Sequence, residues 1–166
     1  MHVHRIYMHV HLVQVRLSSP LSMEDEALDT WRAFLNAHAH VTRRIGRDLA
    51  EAGLPDLGWY DLLWTLYRAP ERRLRVNELA REVVLSPTAM SRFVDRAERA
   101  GVVRREADPQ DRRALQVALT GEGVALLRKM WPVYERGIEE HFAAHLGASP
   151  ARLRRVLERV ADSARD

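Results

Sequence analysis

Cysteine is absent from the 166 residues, which excludes disulfides, thiolate metal sites and thiol-based redox sensing. Lysine is nearly absent too, since Lys129 stands alone against 25 arginines. Long apolar runs are missing: the longest, Val124 to Leu127, spans four residues, far from the roughly 20 needed to cross a bilayer. His9, His11, Gln14 and Arg16 interrupt any apolar stretch in residues 1–22, so that segment is no secretory signal. Also lacking are a nucleophile–base–orienter set, paired carboxylates and a phosphate-cradling glycine loop, which argues against an enzyme. What remains is 46% hydrophobic and 30% charged, with eight glycines and seven prolines. Such a chain buries a core, is neither collagenous nor generically disordered, and at this length forms one domain with helical appendages. The expected setting is cytoplasmic, with no membrane contact.

The net charge of +3 conceals a strong positional bias. Residues 1–23 carry +2 and residues 24–67 carry −4, whereas 68–113 hold twelve arginines against eight acids. Residues 114–166 are close to neutral at +1. A basic window flanked by acidic and neutral segments suits a polyanion-binding module set in a scaffold.

Apolar spacing predicts a mainly helical α+β chain. Leu28, Trp31, Leu35, Ile45, Leu49 and Ala52 recur at helical intervals, giving a long amphipathic helix from Met23 to Ala52 that needs a partner. Leu57 to Ala69 reads as a largely buried helix stopped by Pro70, and Leu74 to Val76 as a short strand. Asn77 is placed to cap a brief helix through Val83. Ser86 followed by Pro87 is a stronger start signal, a hydroxyl cap ahead of a proline at the first helical position, for a helix ending before Gly101. Val102 to Ala107 and Ala114 to Leu119 read as a hairpin with a charged tip. Thr120 caps a further long helix containing Pro132, and Ser149 with Pro150 opens the last one.

Two helices around a tight turn at Val84 and Leu85, followed by a hairpin, make a helix-turn-helix with a wing. The helix from Pro87 presents Met90, Phe93, Val94 and Ala97 on one face. Thr88, Ser91, Arg92, Asp95, Arg96 and Arg99 lie on the other. Ser86, Thr88, Ala89 and Ser91 are small enough for close approach to bases, Arg92 can fork to guanine, and Arg96 can reach phosphate. Arg112 or Arg113 at the hairpin tip suits the minor groove. Asp95 needs a basic partner, and Arg99 at i+4 is the local candidate.

These residues resemble the MarR-type winged helix-turn-helix transcriptional regulators. The resemblance covers about residues 24–166. It rests on Leu74-Arg75-Val76-Asn77-Glu78-Leu79-Ala80, Leu85-Ser86-Pro87-Thr88, Gly101-Val102-Val103-Arg104-Arg105, and Asp108-Pro109-Gln110-Asp111-Arg112-Arg113 running on to Leu119-Thr120-Gly121-Glu122-Gly123. It implies that Arg113 enters the minor groove and Asp111 orients it. It also implies a homodimer whose terminal helices interlock, a pseudo-palindromic double-stranded DNA operator, and release of a repressor by a small aromatic or anionic effector. The chain departs from the family at Val84, where many relatives carry glycine.

The corresponding division is a leader at 1–22, an N-terminal dimerisation helix at 23–56, the winged helix-turn-helix lobe at 57–120 and C-terminal dimerisation helices at 121–166. Trp31, Asp61, Trp64 and Arg68 are the candidate effector residues. Trp31, Asp61, Arg68 and Arg92 are similar to the Trp-Asp-Arg-Arg set of the urate-responsive branch, although Trp31 lies closer to Asp61 than its counterpart does. The competing function is metal binding, through the repeated Met-His-Val-His at 1–4 and 8–11 or through His141 and His145. Neither set has the carboxylate company or spacing of a familiar metal site, and no cofactor is expected.

Overall fold

The computed structural model describes residues 25–108 and 114–164, and the element order follows the expected one. Helix α1 spans Asp25–Glu51 and α2 Leu57–Arg68; strand β1 is Arg73–Arg75. Helices α3 (Val76–Glu82) and α4 (Pro87–Arg99) follow, then strands β2 (Val103–Ala107) and β3 (Leu115–Leu119). The chain closes with α5 (Gly121–His141) and α6 (Pro150–Ser163). Mostly helical, it carries one antiparallel sheet in the order β1-β3-β2. None of the described helices is long and apolar enough to cross a membrane.

The core is built where α2, α3, α4 and the sheet meet. Leu62, Leu63 and Leu66 of α2, Leu79 of α3, Met90 and Val94 of α4, and Val103 and Val117 of the sheet are all buried. Helix α5 closes this core with Leu127 and Met130, and α1 reaches it through its second half, with Ile45 and Leu49 buried and Val41 half-buried against them. The α1–α5 contact is close: a Cβ on Gly137 would come within 2.7 Å of Ile45 Cγ1. The entry to α5 is tighter still, a Cβ on Gly123 falling 2.2 Å from the carbonyl oxygen of Val102.

Three helices end in the same hydrogen-bonded reverse turn, in which two successive amides return to carbonyls of the last helical turn around a left-handed residue. At the end of α1, Gly53 donates to Ala50 and Leu54 to Leu49; at the end of α4, Gly101 donates to Glu98 and Val102 to Ala97. Both pivots are glycines with φ of +68° and +75°. The third pivot, after α3, is Val84 at φ +57°, its amide bonded to Arg81 and that of Leu85 to Ala80. A β-branched residue is strained there. The turn has glycine geometry without glycine.

Two sequence expectations change. Asn77 does not cap α3, because the helix begins one residue earlier and Arg75 is the cap residue, its amide donating to Glu78 Oε2 at 2.9 Å. Arginine has no acceptor to return, so this capping is one-sided. Ser149 precedes α6 but makes no side-chain cap bond. Ser86 and Thr120 do cap, accepting from the amides of Ala89 at 3.2 Å and Gly123 at 3.1 Å.

Candidate nucleic-acid interface

Helix α4 is amphipathic because its apolar residues fall at helical spacing, and Met90, Phe93, Val94 and Ala97 are buried beneath it. The opposite face is left to solvent: Ser86, Thr88, Ala89, Ser91, Arg92 and Arg96 are all exposed. Phe93 is wedged edge-on against Trp59 of α2, ring centroids 5.7 Å apart, which fixes the rotation of α4 about its own axis. The Arg96 guanidinium lies 5.0 Å over the Phe93 ring. That packing directs a long charged side chain without neutralising it.

Asp95 finds a different partner from the one its spacing suggests. Arg99 Nε donates to the backbone oxygen of Asp95 at 3.2 Å, whereas the Asp95 carboxylate pairs with Arg105 of β2 at 2.5 Å. Arg105 also bridges to Glu98, whose other oxygen accepts from the Arg105 amide at 2.8 Å. Burial alone would lower the guanidinium pKa, but hydrogen bonds and charge from Asp95 and Glu98 outweigh it and raise the pKa overall. One arginine thus answers both acids of α4, removing their repulsion toward a polyanion. The sequence carried a signal for this, since period-two alternation puts Arg105 on the same side of β2 as buried Val103.

The wing springs from the far end of this strand. Asp108 N–H donates to Ala114 O at 3.0 Å, closing the hairpin around residues 109–113. Its carboxylate is buried, with 2% of the residue exposed. Oδ2 accepts from Arg75 Nε at 2.7 Å and Gln116 Nε2 at 3.1 Å, with Arg75 Nη2 also at 2.7 Å. Asp111, Arg112 and Arg113, the expected tip residues, lie outside the described residues.

The four candidate effector residues do not gather into one site. Trp31 stacks on Phe34 within α1, centroids 5.8 Å apart. Trp64 lines a groove of about 230 Å³ between α2 and α5, together with Tyr60, Tyr67, Leu127, Arg128 and Trp131. Its ring stacks against Tyr60, Tyr67 and Trp131 at 6.2, 6.0 and 6.2 Å, nearly parallel to each. Arg68 lies 5.9 Å from the same ring. Asp61 is absent from the groove lining; partial burial, and then the charge of Asp56, raise its carboxyl pKa. Beneath the aromatics, burial pushes the Tyr60 hydroxyl up to about 12, helped by Tyr134 and Asp61.

The histidines give no support to metal binding. Among the described residues no group of three or more metal-ligating side chains is placed to hold an ion. His141 sits 3.5 Å from Asp48 of α1, where it helps tie α5 to α1, while His145 is exposed. His2, His4, His9 and His11 lie outside the described residues.

A sequence model of the MarR family matches residues 52–114, which run from α2 through α4 and β2 and stop just short of β3. Over 138 residues the chain is 28% identical to the uncharacterized HTH-type transcriptional regulator YkoM of Bacillus subtilis, covering 82% of this chain and 84% of that one. Two solved structures from Streptomyces coelicolor are similar over nearly their whole length. The MarR family regulator Sco3205, solved in complex with DNA, superposes with a TM-score of 0.80 at 28% identity, covering 89% of this chain and 93% of that one. AbsC, another MarR family regulator, gives 0.78 at 29%, covering 86% and 97%. Sequence, fold and the exposed polar face of α4 agree: the lobe carries the MarR family match, the whole chain is similar in fold to MarR family regulators, and it is a winged helix-turn-helix, DNA-binding transcriptional regulator, not an enzyme.

Proposed function

We propose that this regulator acts as a homodimeric, sequence-specific repressor that is released from its operator by a small aromatic or anionic ligand. The observation that carries the DNA-reading part is the solvent face of α4, with Arg92 and Arg96 exposed while both acids of the helix are paired to Arg105. In this reading Ser86, Thr88, Ala89 and Ser91 approach bases in the major groove and Arg92 forks to guanine. Arg96 meets phosphate. Arg113, oriented by Asp111 and accompanied by Arg112, enters the adjacent minor groove.

Dimerisation is supported by the two ends of the chain. Trp31, Phe34 and Leu35 of α1 and Leu153, Val156 and Val160 of α6 are exposed apolar residues on helices that bury little within one chain. The start of α1 is acidic at Asp25, Glu26 and Asp29, and α6 is basic at Arg152, Arg154, Arg155 and Arg159, so a second copy brings opposite charges together. Two recognition helices related by a two-fold axis call for a pseudo-palindromic operator with half-sites roughly 10 bp apart.

The aromatic groove at Trp64 is the ligand site this reading favours. Parallel indole and phenol faces suit a flat aromatic ring, and Arg128 in the lining with Arg68 nearby suits an acidic substituent on it. Because α2 and α5 carry the groove, a ligand there bears on both the DNA-binding lobe and the helices that set the spacing of the two lobes. The test is binding to a fragment carrying the protein's own promoter over a salt series, alongside sedimentation equilibrium. A steep loss of affinity with salt and a dimeric mass are expected; salt-insensitive binding or a monomer at micromolar concentration contradicts the proposal.

A further inference from the structure

Arg75 stands at a junction that neither the charge pattern nor the motif explains. Its backbone ends β1 and caps α3, the first helix of the helix-turn-helix, through the bond to Glu78. Its guanidinium reaches across the sheet to Asp108, 33 positions further along, at the root of the wing. The sheet register explains the reach: Arg75 pairs with Gln116, Gln116 with Glu106, and Asp108 follows two residues on. Asp108 Oδ2 receives Arg75 through both Nε and Nη2, and Gln116 Nε2 in addition. The same Asp108 closes the hairpin by its amide. A buried carboxylate requires such partners, so its arginine is not free to serve as a phosphate contact.

We propose that Arg75 is a positioning residue for DNA recognition, which through Asp108 fixes the attitude of the wing relative to α3 and α4 so that one half-site is read in both grooves at a fixed offset. The proposal rests on the wing being a DNA contact. Its chemistry needs a planar fork, because Nε and Nη2 converge side-on upon one oxygen; lysine offers only a point charge there.

The experiment uses the full chain and a duplex selected by the wild-type protein from a pool of random sequences. Hydroxyl-radical footprints and affinities over a salt series are recorded for Arg75→Gln, Arg75→Lys, Asp108→Asn, the double variant Arg75→Gln with Asp108→Asn, and Arg113→Ala. Circular dichroism checks folding. A wing set by the latch makes Arg75→Gln and Asp108→Asn each lose minor-groove protection while keeping that of the major groove. Affinity falls roughly tenfold and the salt slope drops by about one, and the double variant is no worse than either single one. Arg75→Lys keeps the charge and still loses the minor-groove footprint; should Arg75→Gln fail to fold, this variant carries the test.

A direct phosphate role for Arg75 would instead make Asp108→Asn harmless or beneficial while Arg75→Gln weakens binding, and that result overturns the proposal. So do unchanged footprints in all the Arg75 and Asp108 variants. If Arg113→Ala leaves the minor-groove footprint intact, the wing reading itself fails; if it erases the footprint while Arg75→Gln and Asp108→Asn do not, only the latch fails.

Discussion

The winged lobe and the ends of the chain solve opposite problems with similar sequence material. Between residues 57 and 120 most apolar side chains find partners within the same chain, and Leu62, Leu63, Leu66, Leu79, Met90 and Val117 are wholly buried. In α6 no residue is buried, and in α1 only Ile45 and Leu49 are. Both helices nevertheless carry regular apolar stripes, and such a stripe is stable in water only when something covers it. The lobe packs its core within a single chain and the ends leave their apolar stripes uncovered, which is why the ends point to a second copy and the lobe points to DNA.

That contrast can be broken most sharply from the lobe side. Gly123→Ala forces a methyl into the Val102 carbonyl, with 2.2 Å available, and should cost about 3 kcal/mol of unfolding free energy in a denaturant titration. From the other side, Trp31→Asp combined with Val160→Asp puts charge on the exposed stripes of α1 and α6. It should convert dimer to monomer in sedimentation while leaving the near-ultraviolet dichroism of the lobe aromatics intact. Loss of the lobe fold in that variant would show that the two regions are not separable.

Tyr60 gives a smaller effect confined to the junction of α2 and α5. Its folded pKa of about 12 exceeds the ordinary value of 10.0, so between those values the folded chain holds a proton that the unfolded chain has released. Stability therefore falls as pH rises through 10 toward 12, and it is unaffected by this group below 10. Tyr60→Phe should flatten that part of the stability profile. The smallest effect concerns the turn: Val84 is 88% exposed, so Val84→Asn gives up little packing while relieving the left-handed strain. It should raise stability by about 1 kcal/mol.

Much of this molecule is legible in its sequence because its signals are local. Ser86-Pro87 and Thr120 mark helix starts that the structure keeps, and Gly53 and Gly101 mark helix ends. The apolar face of α4 follows from spacing alone. The polar connections were legible only in part, because they link residues far apart in sequence. Arg75 meets Asp108 only once the register of three strands is set. Asp95 announces that it needs a cation, yet Arg105 rather than the nearer Arg99 supplies it, since a strand running alongside the helix brings that guanidinium closer to the carboxylate. The cap of α3 departs from the local signal for a related reason: Asn77 is the better local cap, but strand pairing of Arg75 with Gln116 sets where the helix can begin.

The central claim is that the exposed face of α4 reads base pairs while the wing reads the neighbouring minor groove. It is tested most directly by comparing wild-type protein with Arg92→Ala on duplexes selected from random sequence by each. Arg92→Ala should remain folded, lose about 1–3 kcal/mol of affinity for the wild-type sequence, and select sites that have lost preference at one base pair in each half-site. Selection of the same sequence at the same affinity by both proteins would contradict the account.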